Sequence, residues 1–289
     1  MQENSDGLKQ DLGGDPKRSG VFMMWLLFKE QCEKPSDEVI VQRLNERFGD
    51  IDIVSNNQVL RMFALRSQKV FYGDNKELPS IVIVSGCEEV GEPHGDAIAR
   101  TQFWDCLKGA TLLDTCEYQV MIGDFMAGGL PAIQRAGILS DWLEIALELF
   151  PTCAGVYVDS SGKLLDAESA RNNPYKDALR FFWFGINARN FHIEDTGDSL
   201  VDTLGLYLLG LPDVQYHFHT LKVSDVIQHA YNTAIYLFEN DAPIQSGHTI
   251  EGLEPGSMWR CQYEDALIQP VRQVLDIEAG EFAAGTRGY

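Results

Sequence analysis

Hydrophobic residues run almost unbroken through "GVFMMWLLFK" (20–29), so both faces of this segment are apolar and it predicts an interior strand. The pattern then changes period. "SDEVIVQRLNERFG" (36–49) follows Pro35, offers Ser36 as N-cap, places acids in the first turn and ends on Gly49, which together predict a helix. "NQVLRMFALRS" (57–67) and "KVFYG" (69–73) predict two strands, and "SIVIVSG" (80–86) predicts another that is buried. The middle of the chain repeats this rhythm. "EYQVMIGDFM" (117–126) reads as a strand, "LPAIQRAGILSDWLEIALELF" (130–150) as a long helix, and "AGVYVDSSG" (154–162) as a strand with a polar turn.

A third pass opens with "DALRFFWFGINARNF" (177–191), whose dense aromatic residues predict a long strand. "LPDVQYHFHTL" (211–221) alternates strictly and predicts a strand. Gln215, His217 and His219 would lie on one face, with Val214, Tyr216 and Phe218 on the other. "VSDVIQHAYNTAIYLFEN" (223–240) predicts a helix capped by Ser224, and the segments after residue 242 predict hairpin strands with Gly247 in the first turn.

Strands outnumber helices, and several neighbours look hairpin-connected. The expected class is α+β, with mixed or antiparallel sheets and helices packed on one side. Strand–helix–strand–strand modules of ferredoxin-like type, used more than once, are the repeat this order suggests. Residues 1–19 read as a flexible polar tail, 20–165 as an N-terminal half and 175–289 as a C-terminal half. The stretch "DAESARNNPYKD" (166–177) is the best boundary, although the two halves are also compatible with one packed domain.

Charge adds a constraint. Lys and Arg total 23 against 43 Asp and Glu, a formal net charge of −20. Phosphate binding rests on clustered Lys and Arg, so neither nucleic acid nor an anionic membrane surface is an expected partner. A basic protein partner is, because complementary charge speeds encounter. The apolar run at 21–28 is far shorter than the roughly 20 residues that a bilayer helix needs, and its polar, acid-containing approach is unlike a signal peptide. The six cysteines are scattered without a CxxC pair, which predicts reduced thiols in a cytoplasmic protein.

Candidate chemistry is sparse. His217 and His219 are two imidazoles on one strand face. A metal would need a third ligand, for which Asp213 on the same nominal face and His229 on the next helix are available. The alternative is the ordinary polar face of a sheet, and that reading is preferred. "CEEVGEPHGD" (87–96) gathers Cys87, Glu88, Glu89, Glu92, His94 and Asp96 in one loop after a buried strand, but its spacing matches no calcium loop. Gly128 and Gly129 precede a helix start without forming GxGxxG or a P-loop, and no Lys follows them. No catalytic nucleophile motif is present, no cofactor is implied, and no catalytic residue is assigned.

Several blocks resemble a bacterial family named only as domain of unknown function 4261. They are the opening strand and capped helix, the series "EYQVMIGDF", "LSDWLEIALELF" and "CAGVYVDSSGKLLDAESA", and above all "DTLGLYLLGLPDVQYHF", "DVIQHAYNTAIYLFEN" and "IQSGHTIEGL". The resemblance spans about residues 20–277 and implies no catalytic residues. Where relatives tend to carry a Thr-Arg-Gly-Leu-like element, this chain has Thr203-Leu204-Gly205-Leu206, which lacks the basic residue for gripping an anion. Two functions follow as expectations. One is a non-enzymatic interaction protein with an acidic surface for a protein partner, in an immunity or antitoxin-type role. The other is a metal-dependent hydrolase using His217 and His219. Exposed aromatics would also allow a homo-oligomer.

Overall fold

In the computed structural model Ser36 accepts the Val39 amide through its hydroxyl, and Gly49 closes the same helix at φ +81°. The structure describes residues 20–57, 59–72 and 76–285, so the tail expected at 1–19 lies outside the described residues. Residues 20–187 form one compact unit and 188–285 a second, which places the boundary at Asn187/Ala188.

The first unit runs β1 (Met23–Phe28), α1 (Asp37–Phe48), β2 (Ile51–Asn56), β3 (Leu60–Tyr72), β4 (Lys76–Ser85) and β5 (Glu88–Glu89). It continues with α2 (Ala97–Arg100), α3 (Gly109–Thr115), β6 (Tyr118–Phe125), α4 (Ala132–Leu149), β7 (Gly155–Val158), β8 (Lys163–Asp166), α5 (Ala167–Arg171) and α6 (Arg180–Gly185). Among the described residues eight strands form one sheet in the order β2-β3-β4-β6-β1-β7-β8, with β5 beside β6. The apolar β1 sits inside it, antiparallel to both β6 and β7.

Pairing fixes which side chains share a face. Leu26 lies opposite Val120 and Met24 opposite Ile122, so these residues share a face with Phe28 and Asp124. That face carries the long helices. Phe28 meets Phe150, at the end of α4, edge to face, and Arg135 of α4 reaches Asp124. Arg61, on the same face, holds the Pro35 carbonyl and Asp37 at the start of α1. Trp142 is wholly buried in α4 and donates its indole N–H to the Ile83 carbonyl at 3.2 Å. Burying such a side chain stabilises by about 2 to 3 kcal/mol. The opposite face presents Trp25, Leu27, Tyr157 and Leu164 to the segment holding α2 and α3, where Phe103, Cys106, Leu113 and Cys116 complete a second cluster.

Two local expectations are corrected. In place of the two strands expected at 57–67 and 69–73, residues Leu60–Tyr72 form one long strand, β3, whose register against β4 shifts between Leu65 and Lys69, so a bulge absorbs the break in pattern. The aromatic segment 177–191 is not one long strand. It begins with a 3-10 turn, Asp177–Leu179, and the helix α6, and only β9 (Asn187–Ile193) is extended. Phe181, Phe182 and Phe184 are all buried from the helix, Phe181 stacks on both Phe22 and Phe184, and Gly185 leaves room for the Phe181 ring. A short apolar run suits a buried helix as well as a strand, and tertiary packing decided between them.

The second unit continues with β10 (Asp198–Leu204), β11 (Asp213–Phe218), α7 (Val223–Glu239), β12 (Thr249–Glu251), β13 (Met258–Asp265) and β14 (Gln273–Glu278). Its six described strands run β12-β13-β14-β11-β10-β9; β12–β13, β13–β14 and β11–β10 pair antiparallel, and β11 and β14 lie parallel. Helix α7 packs on β10 and β11. Its N-cap is Lys222, not Ser224, whose hydroxyl instead meets the Asp225 carboxylate. Both units combine helices with mixed or antiparallel sheets, an α+β fold. The two sheets share neither strand number nor strand order.

Candidate functional site

The histidine strand folds with the expected alternation. Tyr216 of β11 points to α7, where its hydroxyl lies 2.7 Å from His229 Nδ1 and 3.4 Å from the Thr233 hydroxyl. His229 therefore belongs to the helix side of the sheet, opposite the face that carries His217. His217 Nε2 lies 3.5 Å from Asp198 Oδ2, and His219, just past the strand, places Nδ1 3.2 Å from the Thr220 hydroxyl. Asp213 is wholly buried and faces other partners. Among the described residues no group of three His, Cys, Asp or Glu side chains is placed to hold a metal ion.

Asp213 is part of a buried charge network that local sequence patterns did not reveal. Its carboxylate accepts the Leu206 amide at 3.0 Å, the Gly205 and Tyr207 amides at 3.3 and 3.4 Å, and the Thr203 hydroxyl at 3.2 Å. Arg272 Nε donates to it at 3.0 Å, while Arg272 Nη2 donates to Asp202 at 2.8 Å. Arg189 grips Asp202 with two further N–H groups. Burial pushes the Asp213 carboxyl up, against the pull of Arg272 and of the Leu206 and Gly205 amides. The Thr203–Leu206 element thus does bind an anion through its backbone, but the anion is the protein's own carboxylate. Gly205 permits this with φ +139°. On the same face Gln215 bridges the Asp276 carboxylate and the Leu267 amide. This side of the sheet is a fastening layer, with its polar groups facing one another.

The loop at 87–96 divides its residues among several tasks. Asp96 caps α2 through the Ala99 amide at 2.7 Å. His94 is held between the Trp25 and Tyr157 rings, at 5.2 and 5.1 Å, and its Nε2 lies 2.7 Å from Gln119 Oε1. Gln119 in turn donates to Glu88 at 3.2 Å. Trp25 donates its indole N–H to Asp159 at 2.6 Å. Tyr157 keeps its phenol proton, because burial and the Asp159 charge push it far up. These contacts tie the loop to the sheet and leave Glu89 at the edge of a groove.

That groove has a volume of about 570 Å³ and lies between β5–β6 and α3. Leu113, Cys116, Val90 and Pro93 make it apolar inside, and Glu89, Asp114 and Glu117 charge it. The three carboxylate residues are exposed, and no Lys or Arg is among the lining residues. Asp114 receives Arg100 Nη1 at 3.2 Å, which leaves Glu89 and Glu117 as the more available charges. The sequence flagged Glu89 but missed Asp114 and Glu117, because α3 and the start of β6 reach the loop only through the sheet.

At the third candidate, Gly128 and Gly129 lead into α4, which starts at Pro131 without a side-chain cap. Gly129 is packed against Val70, where a Cβ would come within 2.6 Å. The missed feature here is Arg135, which turns back to bind Asp124 with two N–H groups and to donate to the Gly20 carbonyl at 2.9 Å. Asp124 also accepts the Phe22 amide at 2.9 Å. Arg135 and Asp124 thus form a buried ion pair one turn into the helix that the glycines precede.

No helix of the described residues is long and apolar enough to cross a membrane. No curated protein and no solved structure matches this chain. Residues 202–278, which hold Asp202, Asp213 and Arg272 of the buried network, match the family described as "Domain of unknown function (DUF4261)".

Proposed function

We propose that this protein is a non-enzymatic interaction protein whose acidic groove receives a basic segment of a protein partner. The observation that carries the reading is the groove between β5–β6 and α3, with its apolar interior and its Glu89, Asp114 and Glu117 rim. A Lys or Arg side chain fits both parts, laying its methylene stem on Leu113 and Val90 while its charged head meets the carboxylates. The net charge of −20 supports the same partner class by steering a basic protein toward the surface. Neutralising a basic effector, as an immunity or antitoxin-type protein does, is the concrete form of this role, and a cytoplasmic setting suits it. The metal-dependent hydrolase alternative, using His217 and His219, has less support, because Asp213 on their face is committed to Arg272 and His229 lies on the opposite face of the sheet.

The test is fluorescence anisotropy with a labelled Lys-rich peptide, comparing the parent chain, Glu89→Lys/Glu117→Lys and a control reversal at the exposed Glu239. Saturable binding that the groove variant weakens roughly tenfold, and the control does not, supports the proposal. Equal weakening by both variants would mean diffuse attraction to an acidic surface and would overturn it. Raising salt should weaken binding in the parent, since exposed charges are screened over about 10 Å at 0.1 M.

A further inference from the structure

The six cysteines fall into two groups in the structure. Cys106, Cys116, Cys153 and Cys261 are buried, whereas Cys32 and Cys87 are both half-exposed and lie against each other. The Cys32 backbone N–H donates to Cys87 Sγ at 3.2 Å, which sets the two residues side by side. They come from loops 55 residues apart in sequence. One loop leaves β1 toward α1, and the other joins β4 to β5. β1 and β5 both pair with β6, Phe28 and Glu89 each opposite Tyr118, so the two loops leave the sheet at the same end. Sequence spacing could not show this pair, since sheet pairing across β6 brings the loops together.

We infer that Cys32 and Cys87 form a dithiol site that is oxidised to a disulfide by exchange with a low-molecular-weight disulfide of the glutathione class. This goes beyond the groove reading and does not depend on it. The Cys87 thiolate attacks the small disulfide, one small thiolate leaves, and Cys87 carries a mixed disulfide. Cys32 then gives its proton to solvent and attacks the Cys87 sulfur. The protein disulfide forms and the second small thiolate departs. Overall, two protein thiols and one small disulfide become one protein disulfide and two small thiols, with no other oxidant required. The order follows from the environment. Burial and the neighbouring Cys87 push the Cys32 thiol far up, which disfavours Cys32 as the first nucleophile. The remaining cysteines do not compete. Burial raises all four, Cys153 and Cys261 to about 12, and closes them to a bulky disulfide. The product would tie the loop before α1 to the root of β5, a strand of two residues that carries Glu88 and Glu89.

The experiment uses the full chain in native buffer, equilibrated with reduced and oxidised glutathione across a range of ratios. Samples are quenched by alkylation and mapped by peptide mass spectrometry, with circular dichroism to confirm the fold. Under oxidising ratios two of the six thiols should become unreactive, in one peptide pair joining Cys32 to Cys87, and dithiothreitol should restore both. Cys32→Ser should stop at a glutathione adduct on Cys87, and Cys87→Ser should remain unmodified at Cys32. Six reactive thiols at every ratio, or a bond involving any of the other four cysteines, would overturn the inference. Should either variant fail to fold, the mapping of the parent chain decides alone.

Discussion

Replacing Arg272 by Met removes a guanidinium whose side chain is 2% exposed and which joins Asp202 to Asp213. Met keeps most of the length and volume, so the perturbation is mainly electrostatic. Five hydrogen bonds disappear, to Asp213, to Asp202 and to the carbonyls of Thr203, Ile268 and Pro270. Asp202 retains Arg189, but Asp213 keeps only the Thr203 hydroxyl and three backbone amides, and its charge is left unpaired. Breaking a buried pair in this way costs about 3 to 5 kcal/mol, a large part of the roughly 5 to 15 kcal/mol that holds a domain folded. With a urea slope of about 2 kcal/mol per molar, the unfolding midpoint should fall by roughly 2 M. The loss should also depend on pH. Burial already raises the Asp213 carboxyl, and losing Arg272 raises it further. An acid raised in the folded state binds protons there more readily than in the unfolded chain, so stability falls as pH rises from the unfolded value toward the folded one. The variant should therefore be closest to the parent near pH 4 and furthest from it at neutral pH. Adding Asp213→Asn to Arg272→Met should recover part of the loss by removing the unpaired charge. A single variant within 1 kcal/mol of the parent at neutral pH, or a double variant no better than the single, would refute the reasoning.

Other outcomes follow from the same structure. Burial lowers the His229 imidazole from its ordinary value of about 6.5, and its two ring nitrogens meet the Tyr216 hydroxyl and the Glu251 carbonyl. Stability linked to it should be complete above that value and lost as pH falls through the lower folded value; His229→Gln should flatten this slope in urea unfolding measured between pH 7 and 5. At Gly123 on β6 a Cβ would come within 2.1 Å of the Phe22 carbonyl oxygen. Gly123→Ala should therefore destabilise by about 3 kcal/mol in calorimetry or urea titration. Gly137, inside α4, has open space where a Cβ would go, and Gly137→Ala should stabilise by about 1 kcal/mol in the same assays.

Helices α1, α4 and α7 were legible because each is written locally, through period, length and punctuation by Ser36, Gly49 or Pro131. The alternation of residues 213–218 was legible for the same reason, and so was its division between Gln215 and His217 on one face and Tyr216 and Phe218 on the other. The aromatic run at 181–184 was not, because an apolar stretch without polar positions has no period to read. The candidate chemistry followed the same division. His217, His219 and Asp213 stand out as residue types, but the partner that settles the place of Asp213 is Arg272, 59 residues away. The groove needed Glu89, Asp114 and Glu117 brought together by β5, α3 and β6, and the thiol pair needed two loops on either side of β6.

The sequence by itself determined the α+β class, the interior position of β1, the long helices and a net charge of −20. Those properties rest on residues within a few positions of each other or on simple sums. Only the tertiary structure decided which carboxylates are consumed by arginines and which remain at a groove, and which two of six thiols meet. Pairing a buried charge or a thiol requires contact in space. Here that contact is made by strand register, which no short stretch of the chain encodes.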